Sequence, residues 1–170
     1  MSEAVVIGVD LGSSGARVVA VSSEGRMKAW AHEPFPESRS WPSGRADPGV
    51  WRAGLERALR SIMQIDADIM AIAVGGQSPT TVPMDGGLAV TCRHPAGSGL
   101  SRQEQHSAQR EFLEAELGGT IRPAQIWDWA LRKLGTNEMQ GLWPEENPLE
   151  GYGEPVEVGD VIGHSDGSLG

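Results

Sequence analysis

Apolar and polar positions in the first half of the chain fall into short blocks separated by turn-forming residues. Residues 4–9 are a run rich in Val and Ile, closed by Asp10 and the small residues Gly12-Ser13-Ser14-Gly15. Residues 17–22 form a second such run, which Ser23-Glu24-Gly25 closes, and residues 27–32 suit a third strand. Two β-type runs around a Gly/Ser turn predict a hairpin. Residues 38–49 hold Pro42, Gly44, Pro48 and Gly49, which is loop chemistry. A helix is predicted next: Asp47 can cap it, Pro48 suits its first turn, and Trp51, Leu55, Ala58, Leu59 and Ile62 recur at helical spacing. Residues 69–74 are apolar without alternation, which predicts a strand covered on both faces.

Beyond Gly87 the texture changes. Residues 101–117 read as a helix rich in Gln, Glu and Ala, stopped by Gly118-Gly119. Residues 126–134 are a second, shorter helix closed by Gly135, in which Trp127-Asp128-Trp129, Leu131 and Leu134 read as packing. From residue 136 to 170 the chain is dense in Gly, Pro and Glu and has little periodicity. A stretch of that length without elements is uncommon inside a domain, so it reads as a connector. The boundaries expected are a lobe over residues 1–135 and a connector-like tail over residues 136–170. The acidic residues Glu145, Glu146 and Glu150 read as solvated surface.

A length of 170 residues allows one proper core. The formal net charge of -9, with no run of Lys and Arg, argues against nucleic acid or an anionic membrane as partner, because both need concentrated positive charge. Cys92 is the only cysteine, so no disulfide can form within the chain, and a reducing cytoplasm suits it. No apolar run approaches the roughly 18 residues needed to cross a bilayer, and the first ten residues do not make a signal peptide.

The stretch Ile7-Gly8-Val9-Asp10-Leu11-Gly12-Ser13-Ser14-Gly15-Ala16-Arg17 carries the most chemistry. A strand delivers a carboxylate at its end, and a turn of small residues then exposes backbone N–H groups and hydroxyls. Phosphate oxygens need such donors close by, and side-chain bulk would hold the backbone away. Asp10 would repel phosphate directly, so its natural role is to hold magnesium through water. Arg17 would neutralise charge on a terminal phosphate. The same residues also suit an ordinary hairpin turn. The stretch lacks the Lys-Ser/Thr of a P-loop, and a strand rather than a helix follows the turn, which sets aside a dinucleotide fingerprint.

Gly8-x-Asp10-x-Gly12-Ser13-Ser14 with Arg17 resembles the first phosphate motif of the FGGY carbohydrate kinases. Trp41-Pro42-Ser43-Gly44-Arg45-Ala46-Asp47-Pro48 with Trp51 is similar to that family's proline-rich stretch and helix start. Residues 69–77 resemble its strand ending in Gly-Gln, and Val82-Pro83-Met84-Asp85 resembles the segment that comes next. The resemblance runs over residues 1–87. It implies an α/β ribonuclease-H-like lobe with a mixed sheet, of the kind shared by actin-like ATPases and sugar kinases, here incomplete and with an irregular tail. It also implies ATP and magnesium as cofactors, with Asp10, Gly12, Ser13, Ser14 and Arg17 on the nucleotide side.

On the sugar side the resemblance points to Gly76, Gln77 and Ser78, where a Gln amide offers a polyol both donor and acceptor. The residues after Gln77 are neither the Met-His of xylulokinases nor the Arg-Glu of glycerol kinases, so the sugar, a ketose or polyol, stays unnamed. A Trp-x-Asp landmark is absent, and Cys92-Arg93-His94-Pro95 stands in its place, with Arg93 offered as a sugar or phosphate contact. Cys92, His94 and His106 match no compact zinc spacing, and Cys92 has no identifiable base that would make it a nucleophile. Residues 158–163 resemble the linker before a second kinase domain, and the general base is not identified, although Asp166 is a candidate. Three readings stay open: a kinase portion of low activity by itself, one half of a split kinase whose partner chain carries the second lobe, and a non-catalytic sugar- or nucleotide-binding regulatory module.

Overall fold

The computed structural model describes residues 2–135 together with the short strands Gln140–Gly141 and Glu154–Pro155, which pair in parallel. It divides into two compact units, one formed by the residues up to Ser40 with Gly49–Gly76, the other by Trp41–Pro48 and the described residues from Gln77 onward.

The first unit is a four-stranded mixed sheet in the order β3 (Met27–Pro34), β2 (Gly15–Ser22), β1 (Glu3–Leu11), β5 (Ala67–Gly76). Strands β1, β2 and β3 form an antiparallel meander. A crossover through helix α1 (Pro48–Ile62) then brings β5 parallel to β1. Alternation decides the faces. Val5, Ile7, Val9 and Leu11 of β1 are buried together with their partners Ala20, Val18 and Ala16 of β2. Helix α1 covers that side with its buried stripe of Trp51, Leu55, Ala58, Leu59 and Ile62. Two contacts fix it there: Arg57 pairs with Glu33 of β3 at 3.1 Å, and Gly54 lies against the ring of Phe35.

The opposite face carries Val6, Gly8 and Asp10 of β1, Arg17 and Val19 of β2, and Trp30 and His32 of β3. It remains largely exposed, with Trp30 60% and Val6 47% accessible. The expectation of a strand covered on both faces is therefore corrected for β5. This strand is the edge of the described sheet, and Ile69 and Met70 are exposed. An unbroken apolar run does not by itself distinguish a central strand from an edge strand with one open face.

The second unit holds an antiparallel sheet in the order β4-β7-β6-β8, made of β4 (Arg45–Ala46), β6 (Thr80–Pro83), β7 (Ala89–Thr91) and β8 (Pro123–Gln125). Helix α2 (Arg102–Leu117) packs on it around Val90, Leu113 and Ile121, and α3 (Ile126–Lys133) follows β8 directly. Ser101 caps α2 and forms a reciprocal capping box with Glu104. Gly118 closes the helix in the left-handed region that a side chain would disfavour.

Candidate functional site

Asp10 is the penultimate residue of β1, and Gly12-Ser13-Ser14 is the turn before β2. Asp10 and Arg17 face each other across the hairpin register, and their side chains pair at 2.9 Å with both about half exposed. The turn is held from two sides. Gly12 donates its N–H to the Gly15 carbonyl at 3.0 Å, and Phe35 donates to the Ser14 carbonyl at 2.8 Å. Phe35 is itself buried against α1, so the turn is anchored to the core through one hydrogen bond. A turn fixed in this way presents its remaining groups without paying to order them on binding.

Two donors that the sequence suggested for phosphate are thus engaged within the turn: the Gly12 N–H with Gly15, and the Arg17 guanidinium with Asp10. Ser14 is exposed and Ser13 partly so. The parallel strands β1 and β5 end side by side, with Asp10 opposite Gly75 and Leu11 opposite Gly76. Gly76, proposed for the sugar side, therefore lies beside the turn residues in the first unit. The carboxyl ends of parallel strands are where open α/β sheets gather their ligands.

A groove of about 720 Å³ opens on the exposed face of this sheet. Gly8, Ala73 and Gly75 leave its floor low, Met27 and Trp30 form apolar walls, and Asp10, Arg17 and His32 supply its polar end. The sequence reading did not single out His32. The signal that would have found it is its position in β3 directly opposite Arg17.

The other residues named from sequence lie in the second unit. Gln77 and Ser78 are partly buried, and Arg93 is exposed, its backbone N–H donating to the Thr91 hydroxyl at 3.4 Å. Asp85 is exposed and paired with Arg122, which holds its carboxyl below the usual carboxylate range. The three residues weighed for a metal are put to different uses. Cys92 is exposed, His94 accepts the Ala96 N–H at 3.2 Å, and His106 is buried with Nδ1 3.3 Å from the Thr81 hydroxyl. Burial pushes the His106 imidazole down to about 4, so it is neutral at physiological pH. Trp129 is 4% exposed, in keeping with packing in α3. Asp128 beside it is buried too, and desolvation pushes its carboxyl up to about 7. A carboxylate between two tryptophans is the sequence signal for this, and it goes beyond the packing that the segment suggests. Glu145, Glu146, Glu150, Asp166 and the linker-like residues 158–163 lie outside the described residues.

Among the described residues no group of three or more His, Cys, Asp and Glu side chains could enclose a metal. One half-exposed carboxylate beside a polar turn still fits magnesium, which keeps much of its water shell and needs few protein ligands. No helix of the described residues is long and apolar enough to cross a membrane.

No protein-family model and no curated protein matches the sequence. Solved structures do match the fold. A xylulose kinase from Rhodospirillum rubrum is 20% identical with a TM-score of 0.66, over 87% of this chain and 37% of that one. A ligand-bound xylulose kinase from Lactobacillus acidophilus is 14% identical with a TM-score of 0.65, over 96% of this chain and 44% of that one. A xyloylose kinase from Brucella ovis is 16% identical with a TM-score of 0.63, over 79% and 35%. The chain thus spans less than half the length of these structures. The mixed α/β fold expected from the sequence is the fold that this chain shares with the sugar kinases.

Proposed function

We propose that this chain forms part of an ATP-dependent carbohydrate kinase and contributes one phosphate-binding turn and part of a sugar surface. The observation that supports this most is the placement of Asp10 at the carboxyl end of β1, opposite Arg17 and next to an anchored Gly/Ser turn, in a fold shared with sugar kinases. In this reading residues 1–135 are the lobe, residues 136–170 lead away from it, and a second lobe supplies the adenosine pocket and the general base. Phosphoryl transfer rests on positioning and charge neutralisation, so both lobes have to contribute. A split arrangement, with the second lobe on a separate chain, is the reading nearest to this one. Gly76, Gln77, Ser78 and Arg93 are the residues proposed for a ketose or polyol.

Bound magnesium would supply the positive charge that lets a carboxylate stand near phosphates. Asp10 would hold it, Arg17 would turn from Asp10 to a phosphate oxygen, and the hydroxyls of Ser13 and Ser14 would donate to others. The ion pair that must open is solvent-exposed, and such pairs are worth about 0–1 kcal/mol, so the exchange is cheap. The single cysteine suits a reducing cytoplasm.

Calorimetric titration with ATP, with and without magnesium, tests the assignment on the parent protein and on Asp10→Asn. The parent should bind about tenfold to a hundredfold more tightly with magnesium, the worth of a charge-assisted contact of about 1.5–3 kcal/mol. Asp10→Asn should lose that dependence and keep its fold, because the side chain keeps its size. Equal binding in all four titrations would reduce the turn to a turn.

A further inference from the structure

The phosphate-binding turn has one more neighbour. An ideal Cβ on Gly15 would fall 2.5 Å from Nε2 of His32 and 2.8 Å from the Glu33 carbonyl oxygen. The imidazole therefore lies directly against the last residue of the turn, and only glycine leaves room for it there. Arg17 stands opposite His32 in the β2–β3 register and Asp10 opposite Arg17 in the β1–β2 register, so the three side chains form one row across three strands. All three line the same groove.

From this geometry we infer that His32 is a polyphosphate contact, donating from its ring to an oxygen held at the Gly12–Gly15 turn and so setting the preference of this site for phosphate. The inference rests on the kinase reading above, and it adds a residue that neither the motif nor the resemblance assigns. Three observations favour it. The Gly12 N–H is held by Gly15, and Arg17 stays with Asp10 until a phosphate draws it away, so a second side-chain donor beside the turn adds to what the turn itself offers. Lys28, the lysine of β3, is tied to Glu3, and His32 is the β3 side-chain donor beside the turn. The chain carries a net charge of -9, so each donor aimed at a polyphosphate counts against a repulsive background. The groups near the imidazole are Arg17 on β2, Asp10 one strand further, and Trp30 two residues away on β3 with its ring centre 6.5 Å off. Glu33 points to the other face, where Arg57 takes it.

The test uses magnesium tripolyphosphate, which has phosphates but no nucleoside, and adenosine, which is the nucleoside without phosphates. The parent chain, His32→Ala and His32→Gln are titrated by calorimetry, with melting temperatures confirming that each is folded. His32 is exposed near the sheet edge, so neither change should unfold the protein. His32→Ala should weaken tripolyphosphate about tenfold, and His32→Gln, which keeps a donor, should recover part of the loss. Adenosine, whose pocket belongs to the second lobe in this reading, should bind to none of the three. With histidine labelled for magnetic resonance, tripolyphosphate should move one ring signal, and that signal should be the one missing from His32→Gln. Unchanged tripolyphosphate affinity in His32→Ala, or a stationary His32 signal while the parent binds, would overturn the inference and leave the kinase reading standing. No binding of tripolyphosphate to the parent would sink both.

Discussion

Asp128 sits in the first turn of α3 with 2% of its surface exposed. Desolvation raises its carboxyl from 3.8 to about 7, against a smaller opposing pull from the Gln125 backbone N–H at the helix start. The sign of the consequence follows from proton binding. Between these two values the folded protein holds the proton and the unfolded chain releases it, so folding is favoured at low pH. That advantage is whole below about pH 4 and is lost progressively as pH rises through 7. Roughly three pKa steps at ~1.4 kcal/mol each give a swing on the order of 4 kcal/mol. Asp128→Asn cannot ionise, so its stability relative to the parent should rise between pH 5 and pH 8. Denaturation midpoints of both proteins at the two pH values measure this directly, and a constant difference between them would refute the assignment. At this scale the sequence was legible where geometry is local, as in the placement of Asp10 at a strand end and Gly12 in the turn that follows. It was silent where burial sets the chemistry, as at Asp128, because burial is a property of neighbours that are distant in sequence.

Among the elements, the long ones were legible and the short ones were not. The hairpin, α1 and α2 came within a residue or three of their expected bounds because alternation, helical spacing and the caps at Pro48, Ser101 and Gly118 agreed with one another. The sheet of the second unit was not foreseen. Its strands are two to four residues long, too short for any period to show, and they are assembled by side chains. Arg45 is the clearest of these. Only 8% of its side chain is exposed, and it forks onto Glu116 of α2 at 2.9 and 2.7 Å. It also donates to the Leu88 and Ala89 carbonyls at 3.0 and 3.3 Å, and its guanidinium lies 5.2 Å from the centre of the Phe112 ring. One side chain thereby joins β4, the start of β7 and α2. In the sequence it stood only as part of a proline-rich motif. Arg45→Ala leaves two carbonyls and a carboxylate without their donor and should lower the unfolding free energy by about 3 kcal/mol. Glu116→Gln should cost about 1 kcal/mol, since its carboxylate is partly solvated and an amide still accepts. Urea midpoints would rank the two, and an equal or reversed order would show that the fork is not what holds the strand.

For the whole molecule, the open face of the first sheet is the feature that composition could not reveal, since hydrophobic content says nothing about which side of a strand is covered. Met27, Trp30 and Val6 on this face are 63%, 60% and 47% exposed, and Met70, at the bulge of the β5 edge, is 69% exposed. The floor between them is low because Gly8, Ala73 and Gly75 add almost no side chain. Parallel strand pairs such as β1 and β5 ordinarily have both faces covered, and here α1 covers one. β5 is also a ten-residue edge, long enough to accept another strand. Apolar surface of this kind either meets a partner or drives association. The chain by itself should therefore bind an environment-sensitive apolar dye, and a charge placed on the face should suppress that binding. Trp30→Glu and Met70→Lys are the changes to make, because both side chains point into solvent and their loss removes little packing. Each should shift stability by no more than about 0.5 kcal/mol, so lower dye fluorescence and higher solubility at an unchanged melting temperature would locate the sticky surface on this sheet. Dye binding that survives both substitutions would place it elsewhere and leave the face as tolerated surface.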